Sequence, residues 1–344
     1  MSKKIKKNFI IPIFIPNQGC PQRCVFCKQK TITSFSEKLP SPDHIKNIIE
    51  SAITSKRFRN QKSKEIAFYG GTFTSLPTNT MEKMLGAVRP YKEKGIIHSI
   101  RLSTRPDSLS EEKLDILGFY DVSTVELGAQ SMDNEVLSLS NRGHTSDDTI
   151  NAVNILKKRG FNVGIQLMPG LPGDSEKIFM DTISKVIALK PDIARLYPTL
   201  VIRGTKLEQW HKQGIYHPLG LQDAVNLCKI ASIRLENAGI TVIRIGLMSS
   251  PSLLEKGEII AGPWHPSFGF LVRSAIHLEK LREYMPATEE KKTIIIRAPK
   301  NEIPLIIGYK KSGIRYIEAI TGAMVKDIIQ DDSLSSGQVA IQNF

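Results

Sequence analysis

The sequence predicts an α/β fold built on a parallel sheet, and three observations predict it. Short β-branched and aromatic runs alternate with helical patterns. Six such strand-plus-connection units recur at roughly thirty-residue intervals. Small or polar residues follow the strands, where a parallel barrel gathers its ligands. The periodicity fits a sheet closed or nearly closed into a barrel, with a doubly wound sheet as the competing topology. A chain of 344 residues is long enough for two average domains or one large barrel, and either buries a sizeable core.

In chain order, Phe9 to Ile15 is a buried strand that runs into a cysteine-rich loop. Ser41-Pro42-Asp43 opens a helix whose Ile45, Ile48, Ile49, Ala52 and Ile53 recur at helical spacing. Glu65 to Tyr69 is a strand ending in Gly70-Gly71-Thr72, and Thr80 to Val88 continues as helix. Ile97 to Ser103 is a strand and Ser110 to Leu117 a helix. Thr124 to Leu127 is a strand, and Asp147 to Arg159 a helix closed by Gly160. Asn162 to Leu167, Ser175 to Ala188 and Ile193 to Tyr197 supply strand, helix and strand. Beyond them, Leu221 to Ala238 is a long amphipathic helix, Thr241 to Ile245 another strand, and Ser274 to Tyr284 lies in a helix. Thr293 to Arg297 and Pro304 to Ile307 are strand-like, which suggests a small C-terminal α/β extension. The expected division is a barrel domain over 1–245 and the extension over 246–344.

The formal charge of +13 points to a polyanionic partner, most simply nucleic acid. Candidate phosphate contacts are the run Lys3, Lys4, Lys6 and Lys7, the run Lys56, Arg57 and Arg59, and Lys310 with Lys311. The basic and apolar N-terminus lacks a small-residue cleavage site and leads straight into the cysteine loop, and no apolar run has the length of a membrane span. A cytoplasmic protein is therefore expected. Four cysteines, three of them clustered, suit a reducing compartment better than a disulfide framework.

The cluster is Gly19-Cys20-Pro21-Gln22-Arg23-Cys24-Val25-Phe26-Cys27. Three thiolates on one tight loop can hold three corners of an iron–sulfur cube, leaving the fourth iron open to a ligand. Zinc is the rival, but a structural zinc site takes four ligands; His44 lies beyond a Pro/Ser break and Cys228 far along the chain. Cys228 sits among Val225, Leu227 and Ile230 and reads as a small buried hydrophobe. The other strand ends carry Gly70-Gly71-Thr72, Ser103-Thr104-Arg105-Pro106, Gln130-Ser131 and Gln166 to Gly170. A glycine pair lets a ligand approach the backbone, and hydroxyl and amide groups offer neutral hydrogen bonds to a zwitterion and a ribose.

The CxxxCxxC spacing, with Phe26 just before the last cysteine, resembles the cluster loop of the radical S-adenosylmethionine superfamily. That resemblance implies a partial (β/α)6 barrel of TIM type and a [4Fe-4S] cluster on Cys20, Cys24 and Cys27. It also implies S-adenosyl-L-methionine chelated at the open iron and cleaved to a 5′-deoxyadenosyl radical, with an electron donor such as a ferredoxin or flavodoxin. By the same resemblance Phe26 lies beside the cofactor. Gly70, Gly71 and Thr72 match the motif after the second strand that holds its methionine amino group. Gln130, Arg142 and Gln166 fall where the oxygen-independent coproporphyrinogen oxidases place polar contacts to it. Ser103 and Gln166 stand where those enzymes carry a glutamate and an aspartate.

A closer resemblance runs along the barrel. Gly70 to Phe73, Thr104 to Asp107, Val125 to Ser131, Asn141 to His144, Met168 to Pro172 and Tyr197 to Thr205 look like the catalytic subunit of Elongator, which modifies C5 of the wobble uridine in tRNA. The implied function is modification of a uridine base in tRNA, by an Elongator-like radical domain without the acetyltransferase domain. The alternatives are a radical oxidase or methyltransferase acting on a small molecule, similar to the coproporphyrinogen oxidases, and a metal-stabilised RNA-binding module. Ala261 to Gly269 resembles a short extension on related radical enzymes, whose Trp264 and His265 either meet a base or pack the extension onto the barrel. His144 is read as support for the cofactor loop.

Overall fold

The computed structural model describes residues 9–35, 38–282, 293–335 and 337–343. Chain order gives β1 (Phe9–Phe14), β2 (Lys64–Tyr69), β3 (Ser99–Thr104), β4 (Thr124–Gln130), β5 (Asn162–Leu167), β6 (Ile193–Leu196), the two-residue β7 (Val201–Ile202) and β8 (Thr241–Ile245). Seven of these form one parallel sheet in the order β1-β2-β3-β4-β5-β6-β8. Consecutive strands are neighbours and helices fill the connections, so the sheet curls into an open half-barrel with β1 and β8 at its two edges. The α/β half-barrel is thus as expected, with Thr241–Ile245 as its seventh strand.

Local chemistry marks where the helices begin. The side chains of Ser41, Ser110 and Ser175 accept from the backbone three residues on, each opening a helix after a strand or loop. Thr145 and Asp148 close a reciprocal capping box on Ser146–Lys158. β2 to β5 carry Ile66, Phe68, Ile100, Leu102, Val125, Leu127, Val163 and Ile165 on the face turned to the helices, all essentially buried. The opposite phase of the same strands is polar and turns into the half-barrel.

The chain forms two compact units. One comprises residues up to Leu219 together with Leu235–Pro263 and holds the seven-stranded sheet. It also holds an antiparallel pair of β7 with β9 (Ile259–Ala261). The other comprises Gly220–Arg234 and Trp264–Phe344. Its sheet is β10 (Thr293–Ala298) flanked by parallel β11 (Met324–Gln330) and antiparallel β12 (Ala340–Asn343). Its core joins Leu278, Leu281, Ile294, Ile296, Ile306 and Ile317.

One expectation fails here. Pro304 to Ile307 is a helix, Ile303–Ile307, with proline in its first turn where no intrahelical N–H is needed. Five apolar residues carry no period that separates strand from helix, and packing of Ile306 into the core decides the matter. The helix over Ser274 is Phe268–Arg282, and Tyr284 lies outside the described residues. No described helix is long and apolar enough to cross a membrane.

Candidate active site

The cysteine loop leaves the end of β1 and is tied to the end of β2 by backbone alone. Ile15 N donates to Tyr69 O at 2.8 Å, Asn17 N to Gly70 O at 3.3 Å, and Thr72 N to Gln18 O at 2.8 Å. The approach is so close that no side chain fits in it. A β-carbon on Gly71 would lie 2.3 Å from Gln18 O and 2.5 Å from Ile15 O, and one on Gly19 would lie 2.2 Å from Thr72 O. Gly19 also needs its φ of 71°. From the far side, Asn141 Nδ2 donates to Arg23 O at 2.8 Å and Val25 N to Ser140 O at 3.2 Å.

Each sulfur has a neighbour. Cys20 Sγ lies 3.3 Å from Thr72 Oγ1, and Arg142 Nη1 donates to Cys24 Sγ at 3.0 Å while its Nη2 donates to Gly128 O at 2.5 Å. Burial pushes the Cys27 thiol up to about 12, with the neighbouring Cys24 and Cys20 adding to it and Arg142 and a hydrogen bond from Gln29 opposing it. Gln29 escaped the sequence reading. Its Oε1 also accepts from Asn17 N, so it braces both ends of the loop.

A cavity of about 830 Å³ runs along the inside of the half-barrel, and all eleven residues singled out from the sequence line it: Cys20, Cys24, Cys27, Phe26, Gly70, Gly71, Thr72, Ser103, Gln130, Arg142 and Gln166. Gln130 sits at a register shift between β4 and β5 with φ 68°, a left-handed conformation that costs a non-glycine residue about 1 kcal/mol or more. Its Oε1 accepts from Gln166 Nε2 at 3.2 Å. Cys228 is fully buried and does not line the cavity.

His144 stands behind this wall. Nε2 donates to Ala129 O at 3.2 Å, Nδ1 is buried with no hydrogen-bond partner among the described residues, and burial followed by the charges of Arg142 and Arg105 lowers its pKa to about 4. The ring is therefore a neutral prop for β4 near neutral pH.

Deeper in the cavity lies an ionic network that no motif announced. Arg101 Nη1 donates to Glu126 at 2.6 Å and its Nη2 to Glu65 at 2.9 Å. Arg195 meets Glu126 through Nη2 and Nε, both at 3.0 Å. Arg195 also donates to Tyr69 Oη at 2.6 Å and to Tyr197 Oη at 3.0 Å. Two arginines and two glutamates balance in charge, which is what burial demands of ionised groups. The signal was present in the strands: Glu65, Arg101, Glu126 and Arg195 are charges inside otherwise apolar runs, in the phase that turns inward.

Of the basic candidates, Arg57 lines the cavity and lies 5.9 Å from the Phe9 ring centroid, while Arg59 donates to Thr54 O at 2.8 Å. Lys3, Lys4, Lys6 and Lys7 lie outside the described residues. In the second unit the His265 ring packs edge-on against Tyr309 at 4.7 Å, and Lys310 Nζ lies 5.5 Å from the Tyr309 ring centroid.

The donor set suits an iron–sulfur cluster. Three thiols share one cavity wall with an N–H donor on Cys24. Among the described residues no three His, Cys, Asp or Glu gather about one point as a single ion would need. A cluster instead takes each thiolate on a different iron.

The Radical SAM superfamily matches residues 14–186, and the Radical SAM C-terminal domain matches 191–277. An uncharacterized protein of Methanocaldococcus jannaschii is 34% identical over 245 residues, covering 66% of this chain and 72% of that protein. A tRNA uridine(34) acetyltransferase of the same organism is 38% identical over 133 residues, which is 38% of this chain and only 25% of that protein. Among solved structures, the archaeal Elongator protein 3 of Methanocaldococcus infernus superposes with a TM-score of 0.63 at 23% identity, covering 79% of this chain and 63% of that one. At that identity the likeness is one of fold.

Proposed function

Because the chain belongs to the Radical SAM superfamily, we propose that it is an enzyme that cleaves S-adenosyl-L-methionine reductively and uses the product to modify a uridine base in tRNA. The observation that carries this reading is the cavity itself, which has three thiols at one end, neutral polar groups along the strand ends, and a charge-balanced floor. Cys20, Cys24 and Cys27 would hold a [4Fe-4S] cluster. Gly70, Thr72, Ser103, Gln130 and Gln166 would bind the zwitterion and ribose of the cofactor, with Phe26 beside it. When bound, the two groups supply one-electron hydrogen-atom abstraction and leave 5′-deoxyadenosine.

The chain's own residues act by placement. Gly19 and Gly71 let the cysteine loop lie flat on the end of β2. Arg142 presents an N–H to the Cys24 sulfur, a donor in place for a metal-bound sulfur. At Cys27 burial holds the free thiol protonated, and the hydrogen bond from Gln29 opposes that rise. An electron donor such as a ferredoxin or flavodoxin would reduce the site.

Support for tRNA comes from the similarity to a protein named tRNA uridine(34) acetyltransferase and from the charge of +13. The test is 5′-deoxyadenosine formation by anaerobically reconstituted, reduced protein, with and without bulk tRNA. It is paired with nucleoside analysis of tRNA from cells with and without the gene. A tRNA-dependent increase and one missing modified uridine are expected; a colourless zinc protein, or cleavage indifferent to tRNA, overturns the reading.

A further inference from the structure

Arg195 grips two phenols at once. Its Nη2 donates to Tyr69 Oη at 2.6 Å and its Nη1 to Tyr197 Oη at 3.0 Å, and both rings line the cavity. A guanidinium has donors only, so both phenolic oxygens must be acceptors in these bonds. Each phenol keeps its own hydrogen, and no acceptor among the described residues takes either one. Two O–H donors are thus held on one rigid fork beside the open space of the half-barrel.

The fork cannot easily turn away. Glu126 contacts Arg195 through both carboxylate oxygens, Arg101 contacts Glu126, and Glu65 contacts Arg101. Gly164 leaves room for this arrangement, since a β-carbon there would stand 2.8 Å from Glu126 Cγ. Tyr69 is also the residue before Gly70-Gly71, so its donor stands next to the turn assigned to the cofactor. Burial, then the charge of Glu126, pushes the Tyr69 phenol up to about 12, and it remains a donor at any physiological pH.

We infer that Tyr69 and Tyr197 position the substrate by donating hydrogen bonds to the carbonyl oxygens of a uracil ring. The inference rests on the uridine reading above and names the groups that recognise the base. Within the network Arg101 and Arg195 are matched by Glu65 and Glu126, so what the fork itself presents is two neutral O–H donors, which suit a carbonyl acceptor. Cytosine carries an amino group where uracil carries a second carbonyl. Against a donor that leaves two N–H or O–H groups facing each other, and sites built this way discriminate by roughly tenfold or more.

The experiment compares uridine with cytidine as free nucleoside probes, by ligand-observed NMR, on cluster-loaded protein with S-adenosylmethionine. Wild type, Tyr69→Phe, Tyr197→Phe and the double variant are compared, since phenylalanine keeps the rings and removes only the hydroxyls. Wild type is expected to prefer uridine by about tenfold, with the preference lost in the double variant. A merely structural role would not move that ratio. A preference that survives both substitutions, or a wild type indifferent between the nucleosides, overturns the inference. If iron content shows that the variants fail to load, wild-type crystals soaked with uridine decide. A uracil carbonyl on Tyr69 Oη or Tyr197 Oη supports the assignment, and a uracil bound elsewhere, or none, defeats it. Uridine bound at the two phenols while bulk tRNA leaves 5′-deoxyadenosine formation unchanged would remove the tRNA reading and keep this one.

Discussion

Gly71 packs against Gln18 so closely that a β-carbon on the glycine would stand 2.3 Å from the Gln18 carbonyl oxygen. The absent side chain is therefore required by the protein's own loop, as well as leaving the strand end open to a ligand.

Gly71→Val should accordingly displace the cysteine loop and lower iron loading, together with a stability loss of about 1–3 kcal/mol. Iron and sulfide content after anaerobic reconstitution checks this. Full loading with only cofactor binding lost would mean that the loop yields without harm.

Cys20→Ala, Cys24→Ala and Cys27→Ala should each abolish stable cluster loading. Cys228→Ala should leave iron content unchanged, because that sulfur is fully buried and does not line the cavity. Iron content near wild type in the Cys24 variant would refute the ligand assignment.

Arg142→Met removes the N–H donor from Cys24 and strips Gly128 O of its partner. Hydrogen bonds to cluster sulfurs raise the reduction potential, so the variant's potential should move negative in an anaerobic redox titration. The unpaired carbonyl should cost about 1–3 kcal/mol in denaturant unfolding.

Glu126→Gln should destabilise the apo protein by about 3–5 kcal/mol, because two buried guanidinium groups lose their shared carboxylate. Urea unfolding at neutral pH measures it. A change under 1 kcal/mol would show that water replaces the carboxylate readily.

His144 makes the fold acid-sensitive. Its folded pKa of about 4 lies below the ordinary 6.5, so the folded state binds the proton less well than the unfolded chain. The stabilisation is complete above pH 6.5 and is lost as the pH falls from there to about 4, by roughly 3 kcal/mol at most. His144→Gln should show a shallower loss of apo-protein stability over that window than wild type, as judged by chemical denaturation at stepped pH.

Much of this was legible in one dimension. Asn162–Leu167 and Thr241–Ile245 have the bounds their alternation implied, and the caps at Ser41 and Ser175 stand where side-chain chemistry put them. The spacing of Cys20, Cys24 and Cys27 likewise sets the donor chemistry, since eight residues can fold only into one short loop. These properties are local, and neighbouring residues suffice to determine them.

Tertiary structure alone decided the rest. Arg142 reaches Cys24 across 118 residues of chain, and Arg195 reaches Tyr69 across 126. Strand order and register bring such pairs together, and no local pattern encodes them. Pro304–Ile307 became helix for a related reason: a short apolar run takes whichever form buries Ile306. The inward phase of β2, β3, β4 and β6 was written in the sequence as charges within apolar strands. That those charges close into one balanced network, with two phenols held on its edge, depends on curling the sheet so that distant strands face one cavity.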